Sequence, residues 1–370
     1  MPISASLKPN NQCKIWSIVG SMSKLTAHSI QYRRYHIMLY YNNHTITVNS
    51  PARLHLGFVD LGGALGRKFI SLGVTIEDFG MEMSMSMSDR FMGQGPSHER
   101  ALNYARELFE KWNLDGGCEI NIHHAIPEHA GLGSGTQLAL CVGTAIAKLW
   151  QVEVSTAEIA QELGRGARSG IGIAGFDHGG MIVDGGRGPN TRVPPMIARQ
   201  DFPEAWRALI IVDNSDIGLH GSNETDAFQT LPRFSDQCAG FLSRQVLARV
   251  LPGIIENNIQ EFGLGIREIQ QRVGDYFAPA QGGRYTSPSV AQVIEYLIAQ
   301  GVPGVGQSSW GPTGFAFFDS DTKAHMMLRQ LQNEFADMPQ LSYKVVRGNN
   351  QGSIIRLIEK PQGQDSQISA

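Results

Sequence analysis

The chain has 370 residues, 42% apolar and 18% charged, enough to bury one large core or two ordinary ones, and two domains is the expectation. A formal net charge of -3 and a pI near 6.4 give no basic field to attract nucleic acid or an anionic membrane, so a small-molecule partner is expected. Cys13, Cys118, Cys141 and Cys238 fall in no metal or redox spacing, which reads as reduced thiols in the cytoplasm, and no apolar run is long enough to span a bilayer.

Residues 1–37 carry Lys8, Lys14, Lys24, Arg33 and Arg34 with no Asp or Glu and no sustained period, so they are expected outside the fold. Such a basic, Ser-containing leader has the composition of a transit peptide; the simpler expectation is an upstream start codon, with the working chain beginning near Met38. No continuous apolar segment follows the charges, which argues against a secretory leader. The other 26 Lys and Arg face 34 Asp and Glu, a balance of -8 that further disfavours a polyanion partner.

From Thr45 onward the elements alternate. "TITVNSPARLHLGFV" reads as one or two strands. "MEMSMSMS" sets Met81, Met83, Met85 and Met87 on one face of a half-buried strand, where core packing is a better use than copper binding. "SHERALNYARELFEKW" reads as an amphipathic helix capped by Ser97, with Glu99 in its first turn. In the strand "CEINIHH", His123 and His124 point to opposite faces and make poor joint metal ligands.

Residues 127–150, "PEHAGLGSGTQLALCVGTAIAKLW", run from a glycine-rich loop straight into an uncharged helix. Gly131, Gly133 and Gly135 alternate with Leu132 and Ser134, so the backbone can take positive φ and present successive N–H groups to an anion. Leu138, Val142, Ala145 and Leu149 mark a buried stripe, and the positive end of the helix dipole points at whatever residues 131–136, ending in Thr136, hold. No Lys follows the last glycine, so this is not a Walker loop. Taken alone, the segment serves equally as a packing turn between strand and helix.

Other candidates follow from chemistry. Arg53 and His55, two apart on a strand, face one side and suit an anion contact beside a donor or acceptor; the alternatives are a surface cation and a satisfied core histidine. Asp60, in a Gly-flanked turn, could hold Mg²⁺ or close an Asx-turn. Arg165 and Arg168 in "GRGARSG" offer two guanidinium groups to a sugar phosphate or an aromatic carboxylate, or form a solvated basic turn. His220 and Glu224, four apart, share a face if a helix starts near Ser222, although a Glu there also serves as a favourable N-terminal charge. Ser308, Ser309 and Thr313 place hydroxyls beside Gly311 and Gly314.

Three ordered segments, "PARLHLGFVDLGG", "PEHAGLGSGTQ" and "GVGQSSWGPTGFAFF", resemble the three motifs of the GHMP superfamily of small-molecule kinases, over roughly residues 48–358. The resemblance implies a two-domain α+β GHMP-kinase-like fold: an extension at 1–43, an N-terminal domain at 44–205 around the phosphate loop, a ferredoxin-like domain at 206–360 and a tail at 361–370. Longer phrases, "ARLHLGFVDLGGALGRKFISLGVTIE", "GRGARSGIGIAGFDHGGMIVDGG" and "QSSWGPTGFAF", resemble a branch of that superfamily in methanopterin biosynthesis that transfers a phosphoribosyl group. That resemblance implies joining phosphoribosyl diphosphate to para-aminobenzoate, with release of CO2 and pyrophosphate. It places the substrates on Gly131, Leu132, Gly133, Ser134, Gly135, Thr136, Arg165, Arg168, Ser309 and Thr313. Catalysis falls to Arg53, His55, Asp177, His220 and Glu224, with Mg²⁺ on Asp60, in a cytoplasmic homodimer.

One departure bears on the reaction. Several kinases of the superfamily carry Ser-Gly-x-Asp with a catalytic Asp, whereas "SGIGIAGFDHGG" has Gly172 at that position and its first Asp only at Asp177. A glycine takes no proton from an attacking hydroxyl. The synthase chemistry needs no such base, because the electron-rich ring carbon attacks the anomeric carbon directly. An ATP-dependent small-molecule kinase and a non-catalytic sensor of phosphorylated metabolites remain as alternatives.

Overall fold

A computed structural model describes residues 44–215 and 231–359. Strand β1 (His44–Asp60) pairs antiparallel with β2 (Ile70–Ser88) through a register broken at Ser50/Ala52, His55/Gly57 and Phe58/Asp60. These bulges defeat simple alternation, so most of residues 50–61 are buried. In β2 the four methionines Met81, Met83, Met85 and Met87 are buried, as the period predicts. Ser84 and Ser86 are buried too, so both faces of that half-strand are covered, not one.

After β3 (Met92–Gln94) comes α1 (His98–Lys111), and here the expected cap fails. Ser97 adopts a left-handed conformation and makes no cap bond, because its hydroxyl donates to Glu128 Oε1 at 2.8 Å. Strand β4 (Gly117–His124) then lies between β2 and β3. The central helix α2 (Ser134–Leu149) packs on β1, β2, α1, α3 (Thr156–Glu162) and α4 (Ile171–His178). Enclosed on all sides, it is buried from Gln137 to Leu149 except at Lys148, well beyond one stripe. Strand β5 (Met181–Asp184) joins the first half of β2, and β6 (Met196–Gln200) extends it.

The second sheet starts at β7 (Arg207–Asp213). A helical run α5 (Asp236–Ile255) and the long α6 (Ile259–Gln281) follow, then α7 (Pro288–Ala299), β8 (Gly304–Gln307), β9 (Gly314–Phe318), α8 (Asp321–Glu334) and β10 (Leu341–Val346). Among the described residues this sheet has the order β10–β7–β9–β8, all antiparallel, and its core joins Leu209 and Ile211 to Val290, Val293, Ile294 and Leu297 of α7. The fold is two-domain α+β. The last strand, β11 (Ile354–Glu359), returns to the first sheet and pairs with residues 44–49 of β1.

Helix α5 corrects one expectation, since by length and composition it could cross a membrane. It carries Asp236, Arg244 and Arg249, and buries Leu242, Val246, Val250 and Ile254 while packing against α6. It is buried on that one face only, leaving Leu247 and Ile255 exposed, the pattern of an amphipathic helix packed on a neighbour.

Candidate active site

The glycine loop is held from two sides. Gly131 has φ 74°, and a Cβ there would lie 2.3 Å from the Ser308 carbonyl oxygen, so only glycine lets the loop meet the turn after β8. The Gly131 carbonyl accepts from Ser308 Oγ at 2.7 Å and from Arg53 Nη1, while the Arg53 amide donates to Leu132 O at 3.1 Å. Gly133, φ 91°, caps α2, and its carbonyl takes the amides of Thr136 and Gln137 at 3.2 and 3.1 Å. The carbonyls are thus tied back, and the Ser134 and Gly135 amides, in the first turn of α2, have no intrahelical acceptor and stand at the positive end of the helix.

Arginines gather at this end. A Cβ on Gly133 would lie 3.2 Å from Arg53 Cγ, and one on Gly135 would lie 2.5 Å from Arg100 Nη2 and 3.2 Å from Arg165 Nη1. Tyr104 organises the last two: its hydroxyl accepts from Arg100 Nε at 3.1 Å and from Arg165 Nη2, and both guanidiniums lie over its ring. Arg165 Nε is buried with no partner. Glu128 sits 3.5 Å from Arg100, and the Ser97 hydroxyl, then Arg100, holds its carboxyl below the usual range. One carboxylate thus stands among three guanidiniums at a helix N-terminus, an arrangement whose chemistry suits an anion.

His55 sits behind this site. Its amide donates to Ser308 Oγ at 3.0 Å, and its carbonyl accepts from the Ser309 amide at 3.2 Å. Its Nδ1 accepts from the Gly57 amide at 3.3 Å, which leaves the ring proton on Nε2, a buried atom with no partner. Burial, and then the nearby Arg53 charge, push its pKa down to about 3, so the ring is neutral near pH 7. It lines a narrow cleft with Phe58, Gln270, Phe277 and Trp310.

Gly172, near the start of α4, faces the glycine helix: its Cβ would lie 3.2 Å from Thr136 Cγ2, and its carbonyl accepts from Gln137 Nε2 at 2.8 Å. The superfamily's base position is therefore at the loop, without a carboxylate. Asp177 is not brought there, because five helical positions turn a side chain by about 140°. It accepts from Thr156 Oγ1 at 2.7 Å, burial raises its pKa, and it lines a cavity with Thr144 and Lys148, well down α2.

Asp60 makes the Asx-turn, its Oδ1 accepting the Gly62 and Gly63 amides, each at 2.8 Å. Among the described residues no three His, Cys, Asp or Glu side chains cluster as a metal site. Thr313 is fully buried, its carbonyl accepting from the Ser308 amide at 2.9 Å. Arg168 lies in the turn before α4. His220 and Glu224 lie outside the described residues.

Comparison with known proteins places this arrangement. The GHMP kinases N terminal domain matches residues 99–180, and the GHMP kinases C terminal domain matches residues 250–337. The beta-ribofuranosylphenol 5'-phosphate synthase of Methanothermobacter thermautotrophicus is 31% identical over 296 residues, covering 74% of this chain and 89% of that protein. The chain belongs to this synthase family. The Archaeoglobus fulgidus synthase is also 31% identical, over 79% of this chain and 93% of its own length. A homoserine kinase from Cytophaga hutchinsonii shares the fold, with a TM-score of 0.61 at 19% identity over 84% of this chain and 97% of that one.

For this member of the synthase family, Arg100 and Tyr104 are the site residues that sequence reasoning missed. They lie four apart on α1, so they share a face. Nothing in that spacing connects them to a loop that begins 31 residues after Arg100, and only the packing of α1 on α2 does.

Proposed function

We propose that the chain joins phosphoribosyl diphosphate to a para-substituted benzoate through a carbon–carbon bond, releasing pyrophosphate and CO2. The observation that carries this reading is the gathering of Arg53, Arg100 and Arg165 at the glycine-loop helix N-terminus, with Gly172 where a phosphotransfer base would stand. The Ser134 and Gly135 amides, with Arg53, Arg100 and Arg165, hold the donor's diphosphate and stabilise its growing charge as it leaves. The ring carbon bearing the carboxylate attacks C1 of the ribose, and the C1–O bond to pyrophosphate breaks. The ring then loses CO2, whose bonding pair restores aromaticity. No proton changes hands, so no catalytic base is required.

The curated relatives are named for a phenol, which para-hydroxybenzoate would yield, whereas the sequence resemblance points to para-aminobenzoate. Both rings are electron-rich at the attacked carbon, and the mechanism serves either. Magnesium is proposed as the counter-ion that arrives with the diphosphate, since Asp60 spends Oδ1 on its turn and, among the described residues, no three His, Cys, Asp or Glu side chains cluster to hold a metal. No step is routed through it. Phosphoribosyl diphosphate with each carboxyl-labelled acceptor tests the reading: labelled CO2 and pyrophosphate in equal amounts are expected, and neither product with either acceptor refutes it. Cytoplasmic location and a homodimer are part of the same proposal.

A further inference from the structure

Two glycine-rich turns, residues 61–67 and 185–191, meet across an isolated antiparallel bridge between Lys68 and Arg187. The Lys68 amide donates to Arg187 O at 3.0 Å and the Arg187 amide to Lys68 O at 2.6 Å, so the two side chains stand directly opposite each other on one face. Two like charges in that relation repel. Among the described residues neither has a carboxylate within salt-bridge distance.

The surroundings hold that repulsion in place. Arg67 fastens the second turn, donating from Nε to Gly185 O at 2.6 Å and from Nη2 to Gly186 O at 2.8 Å. Buried Asp184 accepts the amides of Ser71, Gly170 and Gly186 at 3.1, 2.9 and 3.0 Å, locking the start of β2 and the second turn to the start of α4. Gly63, φ 72°, lets the Lys68 stem lie flat against the first turn, because a Cβ there would sit 2.3 Å from Lys68 Cγ. Lys68 and Arg187 line a cavity of about 400 Å³ with Gly63, Gly66, Phe69 and Gly188.

Two chains of packed residues join this cavity to the anion site. Phe69 meets Phe58, which packs on His55, two residues from Arg53. On the other side Gly172 abuts Thr136, and Gly170 shares Asp184 with Gly186.

We propose that Lys68 and Arg187 bind the 5-phosphate of the donor. The inference rests on the proposed function in that it takes the ligand to be a ribose carrying anions at both ends. One anion belongs to the glycine loop, and a phosphomonoester dianion matches two adjacent, unneutralised cations. Holding both ends presents C1 to the acceptor in one orientation.

Calorimetry on the full chain with pyrophosphate already bound tests this, using ribose 5-phosphate as probe and uncharged ribose as control. Each of Lys68→Gln and Arg187→Gln should weaken ribose 5-phosphate about tenfold, the double variant more, with pyrophosphate affinity changed less than about twofold. Both side chains are exposed, and thermal melting of each single variant checks the fold. Ribose 5-phosphate that does not bind the unaltered chain, binds the variants equally well, or is lost in step with pyrophosphate overturns the proposal. Product formation is scored separately: selective loss of ribose 5-phosphate in a chain that makes no product leaves the phosphate site standing and removes the synthase reading.

Discussion

Gly135→Ala separates the anion site from the stability of the fold. Gly135 lies in the first turn of α2 without a positive φ, so alanine is the better helix former there by up to about 1 kcal/mol. The three atoms nearest the new Cβ all belong to arginine side chains, Arg100 Nη2 at 2.5 Å and Arg165 Nη1 and Cζ at 3.2 and 3.4 Å. Both guanidiniums must move away from the loop, at small cost to the fold because they are the ends of flexible side chains. Each charge-assisted hydrogen bond to a bound diphosphate is worth about 1.5–3 kcal/mol. Removing one weakens pyrophosphate roughly 10- to 100-fold. Calorimetry with pyrophosphate and a melting curve on the same sample give both numbers. A melting point equal to or above that of the unaltered chain, with pyrophosphate weakened at least tenfold, is expected. An unchanged melting point with unchanged affinity would refute the assignment of Arg100 and Arg165 to the diphosphate.

Restoring a carboxylate by Gly172→Asp should not create a kinase, and should raise the KM for phosphoribosyl diphosphate on the order of tenfold by placing an anion beside Thr136; ADP formed from ATP by that variant would contradict this. His55 has a folded pKa near 3 against 6.5 unfolded, so the unfolded chain binds the extra proton and stability falls as pH drops through that window. The unaltered chain should lose roughly 3 kcal/mol from this group between pH 7 and pH 4, and His55→Asn should lose that much less. Equal pH slopes in urea titrations of the two would count against the buried neutral histidine.

The loop and its helix were legible because glycine spacing and an uncharged run are local properties. So was the absence at Gly172, since a motif compares residue types in order. What escaped was set by distant packing. Ser97 reads as a cap until Glu128, 31 residues away, takes its hydroxyl. Asp177 follows Gly172 closely in sequence, yet helix geometry turns it to Thr156. Arg100 looks like one more surface charge on an amphipathic helix until α1 packs against α2 and sets it over Gly135. For Asp60 the two readings required the same residue, and only the Gly62 and Gly63 amides on Oδ1 distinguish the turn.

The central claim is that the loop binds phosphate without transferring it. The most direct test is a pair of product analyses on the unaltered chain: phosphoribosyl diphosphate with carboxyl-labelled para-hydroxybenzoate or para-aminobenzoate in one, ATP with small alcohols in the other. The account predicts labelled CO2 and pyrophosphate in a one-to-one ratio from the first and no ADP from the second. ADP from the second, with neither CO2 nor pyrophosphate from the first, would contradict it.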